Sequence, residues 1–419
     1  MIGELIIIGA GAAGMMAAFS AAQAGVTVLL LERNRALGRK LLITGSGRCN
    51  LTNQTDVDEL VANLPGNGRF LFSALQQFGP AELMNLFQTQ LGVPLKVERG
   101  RRVFPLSDQA KDIVTALEGG LKKLRVRVLT EKRVVQLLRT AAGAINGVRL
   151  ASGEEFHSKA VVLATGGASY PGTGSTGDSY RLAEAVGHTI VPVFPSLVPL
   201  ETVESWPRQV EGLSLNNINA VVFYQGKKLA AEFGDLLFTG FGVSGPVILS
   251  LSRKVVPLVL REPGSVSLRI DLKPALSGEE LDRRIQRDFA KFIRKQYKNA
   301  LDQLLPKSLI PVIIELSGID PHKPVHQITR EERSSLVNLL KQLPLTIEKP
   351  RPLSEAIVTA GGVCIKEINP KTMESKLVSG LYFAGELVDV DGYTGGYNLQ
   401  AAFSMGYVAG LAAASRLQS

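Results

Sequence analysis

At 419 residues the chain is longer than one hydrophobic core usually supports, so two or three domains are expected. Its 45% hydrophobic and 20% charged residues exclude a disordered or fibrous chain, two cysteines exclude a disulfide framework, and no apolar run reaches the roughly twenty residues of a bilayer span. A net charge of +9 permits a nucleic acid or acidic partner without requiring one, and much of the excess is diffuse.

Leu5-Ile6-Ile7-Ile8 opens the chain as a buried strand and breaks at Gly9-Ala10-Gly11-Ala12-Ala13-Gly14. Met15 to Ala24 carries no charge and no proline and predicts a buried helix, and Val26 to Leu31 then predicts a second strand ending at Glu32. This order suits a dinucleotide. Gly9 permits the turn, Gly11 lets backbone approach the pyrophosphate, and Gly14 lets helix pack on strand. The helix start supplies N–H groups and partial positive charge. Glu32, eighteen residues past Gly14, stands where an acid takes ribose hydroxyls. The motif alone does not choose between NAD and FAD. The same stretch is apolar enough to imitate a signal peptide, but it has Glu4 where a positive segment belongs; with the few cysteines, this predicts a cytoplasmic protein.

Arg33 to Asn53 is rich in basic residues, glycine, serine and amides, which makes a poor core strand and a good ligand loop. Gly38-Arg39-Lys40 through Asn50-Leu51-Thr52-Asn53, directly after a dinucleotide fold, resembles the signature of a bacterial and archaeal flavoprotein family, the BaiN-like or aminoacetone oxidase family of NAD(P)/FAD-dependent oxidoreductases. The resemblance implies FAD in the first fold, with Arg33, Arg39, Lys40, Thr44, Gly47, Arg48, Cys49 and Asn50 beside pyrophosphate, ribitol and isoalloxazine.

Leu60 to Leu91 reads as helical packing, and Arg102-Val103-Phe104-Pro105 matches the family. Val126 to Val135 and Gly147 to Leu150 read as strands, and Ala160 to Leu163 as a buried strand leaving through Ala164-Thr165-Gly166-Gly167, small enough to approach a dinucleotide. In the two-dinucleotide flavoprotein architecture that element returns to the FAD domain, and the resemblance implies Val134 near the adenine. Gly177-Asp178-Ser179-Tyr180 departs from the family's Gly-Asp-Gly-Tyr at Ser179.

From about Pro195 short alternating segments, 218–224 and 266–272, predict an antiparallel, barrel-like insert. Leu236 to Pro246 matches a second family motif, with Gly240 at a position the family commonly gives to His; the departure removes a candidate acid or base, and no catalytic residue is assigned. Glu279 to Leu305 predicts one amphipathic helix whose outer face gathers Arg283, Arg284, Arg287, Lys291, Arg294, Lys295 and Lys298. No aromatic residues interleave with these cations, so the face reads as ordinary solvated surface, and a nucleic acid partner is not expected. His322 and His326 flank Pro324, which argues against a helical metal pair; no metal is expected.

Glu355 to Val363 returns to buried-strand character, and Gly380 to Gly392 leads to Gly395-Gly396-Tyr397-Asn398-Leu399-Gln400 and a small-residue helix. Thr372 to Lys376 and Gly385 to Gln400 also match the family. In flavoproteins of this architecture the resemblance implies Gly385 and Glu386 on the ribitol, and the N–H groups near Asn398, Leu399 and Gln400 at the flavin pyrimidine edge, with Lys40 and Arg48 adding to that field.

The expected fold is α/β, a Rossmann-like FAD-binding domain over 1–194 and 353–419, interrupted at 195–352 by a barrel-like insert with a helical part at about 275–345. The expected activity is NAD(P)H-driven flavin reduction followed by hydride transfer to a small acceptor such as a conjugated double bond. NAD(P)H is expected to bind transiently or not at all. An oxidase of an amine or alcohol, an RNA-associated flavoprotein and a sensory flavoprotein remain alternatives, and oligomeric state is open.

Overall fold

The computed structural model describes residues 5–419; Glu4, used above against a signal peptide, lies outside them. The chain divides into two compact units, Met1–Phe194 with Leu353–Ser419, and Pro195–Pro352.

The first unit is built on a five-stranded parallel sheet. Its strands are β1 (Leu5–Ile8), β2 (Val28–Leu31), β3 (Arg127–Leu129), β4 (Ala160–Leu163) and β5 (Leu381–Phe383), in spatial order β5-β4-β1-β2-β3. The central strands are continuous apolar runs because both of their faces are covered, and every residue of β1, β2 and β4 is buried. The helix α1 (Ala12–Gln23) joins β1 to β2, and the terminal helix (Tyr397–Gln418) follows β5.

These two helices bury most of their surface because they are made of small residues. A Cβ on Gly406 would stand 2.2 Å from the Ala13 carbonyl oxygen, and one on Gly410 2.2 Å from that of Ala17. Ser20 Oγ donates to the Tyr407 carbonyl at 3.0 Å, and Phe78 stacks on Tyr407 with centroids 4.2 Å apart.

Leu60 to Leu91 is not one helix but short pieces, Val57–Ala62, Phe72–Gln77 and Pro80–Asn85 among them, broken where Pro65-Gly66-Asn67-Gly68 and Gly79-Pro80 interrupt the ladder. Val126 to Val135 likewise divides at Glu131, which has a positive φ of 59°, into β3 and the strand Val134–Arg139. Farther along, His188 is buried between Glu367 (Nδ1 to Oε2, 3.1 Å) and Ser375 (Nε2 to Oγ, 2.8 Å) and ties the 364–380 loop to its neighbour. Burial holds its imidazole below the ordinary value although Glu367 opposes this.

The second unit is a closed antiparallel barrel of six strands: Leu200–Thr202, Gly242–Ser244, Lys227–Thr239, Ser214–Tyr224, Val266–Asp271 and Leu343–Pro350. Its apolar interior follows the strand alternation, with Ala220, Val222, Leu236, Leu268 and Ile270 buried. The helix anticipated over Glu279 to Leu305 stops early. It runs Gly278–Lys291, capped by Ser277 and Glu280, and the chain then turns so that Tyr297 is buried and its N–H donates to the Lys323 carbonyl at 2.9 Å. The apolar spacing after Phe292 serves this loop core rather than a continued helix.

The contact between α1 and the terminal helix can be tested directly. Gly406→Ala and Gly410→Ala are each expected to cost about 1–3 kcal/mol through overpacking, read as a lower urea midpoint at unchanged m. Gly119→Ala is the control: it lies in the helix Ala110–Lys123 and its Cβ would meet nothing within 4 Å. It should leave stability unchanged or raise it by up to about 1 kcal/mol.

Candidate dinucleotide site

The glycines at the exit of β1 take three distinct roles. Gly9 has a φ of +97°, and a side chain there would meet the Ala164 carbonyl at 2.6 Å and Thr165 Cα at 2.9 Å. A Cβ on Gly14 would lie 1.8 Å from the Gly9 carbonyl oxygen, so the third glycine is demanded by helix-on-strand packing. Gly11 differs, because nothing stands within 4 Å of its Cβ direction. The first ladder bond of α1 runs from Met15 N–H to Gly11 O at 2.9 Å, which leaves the N–H groups of Ala12, Ala13 and Gly14 without helical acceptors beside that open space.

Glu32, at the end of β2, is buried. Its Oε2 accepts from Ala10 N–H at 2.8 Å, and its Oε1 accepts from Asn34 N–H at 2.8 Å and Asn34 Nδ2 at 2.7 Å. A carboxylate has about four acceptor positions, so one on Oε2 is left for a hydroxyl. Asn34 also donates to the Thr173 carbonyl (3.2 Å) and accepts from Arg39 (2.9 Å). Arg33 is held by Thr176 at 2.7 Å and Asp178 at 3.3 Å.

Three residues from separate segments of the first unit converge on Glu386. Lys40 Nζ donates to Glu386 Oε2 at 2.5 Å and to Ser169 Oγ at 2.6 Å; Ser169 Oγ and Thr359 N–H both donate to Glu386 Oε1 at 2.8 Å. Burial opposes ionisation of Glu386, but the Lys40 ammonium and these hydrogen bonds outweigh it and hold the carboxyl below its ordinary range. Arg48 is likewise committed, to Glu98 and to Asp108 (Nε to Oδ1, 2.8 Å), with its guanidinium 4.2 Å above the Phe104 ring; Lys96 completes the cluster on Asp108 at 2.5 Å. The sequence reading makes Lys40 and Arg48 cations available to a flavin ring. Each is instead ion-paired within the protein.

Between them, residues 44–49 pass through left-handed backbone at Gly45, Ser46, Gly47 and Cys49, with φ of 56°, 58°, 84° and 59°. Thr44 Oγ1 bonds back to the Leu41 carbonyl at 2.7 Å, and Gly47 faces open space. Cys49 is a correction. Its side chain is wholly buried in the apolar core, and burial pushes the thiol up to about 12, so it offers a ligand backbone only and has no thiolate for redox work.

At the terminal helix, Asn50 braces the entry: oriented to satisfy both partners, its amide accepts from Gly396 N–H at 2.9 Å and donates to the Thr52 carbonyl at 3.1 Å. The open N–H groups here belong to Tyr397, Asn398 and Leu399. Gln400 is the second correction. Its N–H makes the helix's own bond to Gly396 O at 3.0 Å, and its buried side chain bonds Thr52 (2.6 Å), the Phe78 carbonyl (3.1 Å) and Ser404 (2.9 Å). The Asn398 side chain is turned to Gly392 and Tyr393.

Ala13 and Gly385 meet at the β5 exit, where a Cβ on Gly385 would lie 2.9 Å from that of Ala13. At the β4 exit Ala164 N–H bonds Ile8 O at 2.9 Å, Gly166 has a φ of +77°, and the buried Thr165 Oγ1 has no protein partner. Val134 pairs with Leu150 at the start of a separate three-stranded sheet. Thr165, the space over Gly11, the open α1 N–H groups and the spare Glu32 acceptor together fit a dinucleotide. In the second unit Gly240, where the family's His is missing, has the Glu211 carboxylate 2.9 Å from its Cβ direction.

The Cys49 assignment has a direct check. In the folded protein Cys364, half-buried, should be the thiol that alkylates, while Cys49 reacts only on denaturation. A thiol near 12 is ionised to about one part in ten thousand at pH 8. Peptide mapping after iodoacetamide gives the answer, and native labelling of Cys49 would show that its thiol is open to a ligand.

Comparison with known proteins places this geometry. Residues 3–412 match the family described as HI0933-like protein Rossmann domain. The chain is 36% identical over 413 residues to the 3-dehydro-bile acid delta(4,6)-reductase of Clostridium scindens, covering 98% of each chain. It is 33% identical to the ribosomal RNA dihydrouridine synthase of Haemophilus influenzae, over 97% of this chain and 98% of that one. The 3-ketosteroid delta1-dehydrogenase of Sterolibacterium denitrificans shares the fold at a TM-score of 0.55 and 14% identity, over 99% of both chains. A parallel sheet with a glycine cradle at its β1 exit, a barrel-bearing insert and a match over nearly the whole length agree: the chain belongs to the HI0933-like Rossmann family, the flavoprotein family its motifs resemble, and is an FAD-dependent oxidoreductase.

Proposed function

We propose that this protein reduces a carbon–carbon double bond conjugated to a carbonyl, drawing hydride from NAD(P)H. What carries the reading is the meeting of an open dinucleotide cradle with full-length similarity to two relatives whose names both describe hydrogen addition to a ring double bond, one in a 3-dehydro-bile acid and one in uridine. When bound, FAD supplies the hydride relay between donor and acceptor.

The chain's own residues have binding and orienting work. Ala12, Ala13 and Gly14 offer N–H groups to the pyrophosphate across the space that Gly11 leaves clear, and Glu32 Oε2 accepts from a ribose hydroxyl. Thr165 Oγ1 gains in the cofactor the partner it lacks in the protein. The open N–H groups of Asn398 and Leu399 would lie toward the pyrimidine edge of a bound flavin and favour negative charge there. The Lys40–Glu386 pair, tied to Ser169 and Thr359, fixes the loops from which these groups project and adds little net charge to them.

Two measurements test this. Anaerobic mixing of the FAD-loaded protein with NADPH or NADH should bleach the flavin absorbance, and an α,β-unsaturated ketone should restore it without oxygen. Bleaching by an amine or alcohol alone, with recovery on aeration, would establish the oxidase instead. Separately, Glu32→Ala is expected to weaken FAD binding about 10- to 100-fold, since a hydrogen bond to a charged group is worth about 1.5–3 kcal/mol. Flavin fluorescence titration measures it, and an unchanged Kd would move the ribose contact to another residue.

A further inference from the structure

We infer that Asn34 is a positioning residue of the dinucleotide site: its one amide aims the free acceptor of Glu32 and the guanidinium of Arg39 at the same bound cofactor. The inference rests on the ribose contact proposed above for Glu32. It adds the residue that sets that contact and the cation beside it.

The two ends of this amide face opposite kinds of partner. Nδ2 has two protons. One goes to Glu32 Oε1 at 2.7 Å and the other to the Thr173 carbonyl at 3.2 Å, while Oδ1 accepts from Arg39 Nη1 at 2.9 Å. Exchanging the ends would set Oδ1 against two acceptors and Nδ2 against a donor, so the amide has one orientation. The main chain is committed as well: Asn34 N–H donates to Glu32 Oε1 at 2.8 Å, and its carbonyl accepts from Glu131 N–H at 3.1 Å.

Both groups that the amide holds border the cradle. Glu32 Oε2 accepts from Ala10 N–H at 2.8 Å, and the Ala10 carbonyl accepts from Gly38 N–H at 2.9 Å. The turn after β1 is thus stitched on one side to Glu32 and on the other to the residue before Arg39. Arg39 is exposed and forms no ion pair among the described residues, unlike Arg33, Lys40 and Arg48. Its charge is therefore not cancelled, and its planar fork matches the oxygens of a pyrophosphate. A neutral amide suits the task of holding it, because a carboxylate in the same place would neutralise the cation that the anion needs.

The loop 170–177 fixes the amide from the other side. A Cβ on Gly174, whose φ is +108°, would stand 2.4 Å from Asn34 Nδ2, so the loop closes on the amide with no room for a side chain. The same loop brings Ser175 Oγ to 2.8 Å from the Cβ direction of Gly166, next to Thr165, whose hydroxyl has no protein partner. Arg33 ties down its far end through Thr176 and Asp178. Asn34 stands where the end of β2, the start of the helix Arg39–Ile43 and this loop meet, and its side chain bonds all three.

The test uses the full-length FAD-loaded protein, diluted in steps while the fluorescence of released FAD gives the Kd. Asn34→Ala should weaken FAD about tenfold, the scale of one hydrogen bond to a charged group. Asn34→Asp keeps the volume and the acceptor toward Arg39 but removes both donors and sets a second carboxylate against Glu32, so it should weaken FAD at least as much. A double-mutant cycle then shows how Asn34 acts, because a residue that works through Glu32 or Arg39 has less to lose once that partner is gone. In the Glu32→Ala and Arg39→Ala backgrounds the Asn34→Ala loss should shrink by about threefold or more. Wild-type affinity in Asn34→Ala or in Asn34→Asp, or an undiminished loss in both backgrounds, would overturn the inference, since a residue that only fills space adds its cost to every background alike. The ribose contact is judged separately. Unchanged affinity in Glu32→Ala with shrinkage against Arg39 condemns that contact and leaves Asn34 positioning Arg39; a weakened Glu32→Ala with additive losses condemns the inference and leaves the contact.

Discussion

Where Gly406 and Gly410 meet Ala13 and Ala17, one added methyl on either glycine would stand 2.2 Å from a carbonyl oxygen, so the two helices are nearer than any side chain allows. The approach has a consequence for everything around it. It carries the start of α1, from the beginning of the chain, and the start of the terminal helix, from its end, into one unit with the exits of β4 and β5. Ala13 against Gly385 and Gly9 against Ala164 and Thr165 are further contacts of the same kind, backbone or methyl against backbone or methyl. A site whose walls are backbone can present N–H groups, which side chains would otherwise cover.

That choice decides how negative charge is handled. The side-chain cations near the cradle, Arg33, Lys40 and Arg48, are paired with Asp178, Glu386 and the Glu98–Asp108 couple. Paired cations position loops, and their fields largely cancel a short distance away. The groups left to meet an anion are Arg39, held by the Asn34 amide oxygen rather than by a carboxylate, and the open N–H ends of α1 and the terminal helix, whose orientation is fixed by packing rather than by rotamer choice. Glu32 works in the same manner: three of its acceptor positions are spent in holding Ala10 and Asn34, which leaves its last one aimed by the fold.

The parts of this arrangement that follow from local pattern are legible in the sequence. β1, the glycine turn, α1 and β2 announce themselves because each glycine and each apolar run has one physical reason to be there, and the barrel announces itself by strand alternation. What the sequence hides is the identity of partners distant along the chain. Ser169 and Thr359 look like ordinary small polar residues until the fold sets them on Glu386, and nothing near Arg48 marks Glu98 and Asp108 as its counterions. Asn34 was within reach, since an amide two residues past an acid at a strand end invites a local turn. Gln400 and Cys49 mislead for the opposite reason: motif position says cofactor, while burial and the helix's own ladder claim their atoms first.

Both units hold structural cations beside available ones. In the first unit Arg33, Lys40 and Arg48 of the ligand loop are paired with carboxylates, of which Glu386 is the one that burial would otherwise penalise, while Arg39 bonds the Asn34 amide oxygen. In the second, Arg284 and Arg333 follow that pattern, yet Arg283 and Arg287, on the same helix as Arg284, do not. Arg283 follows exposed Glu279 by four residues, the spacing at which opposite charges support a helix, so this face carries both signs and keeps the helix in water while Leu281, Ile285 and Phe289 pack inward.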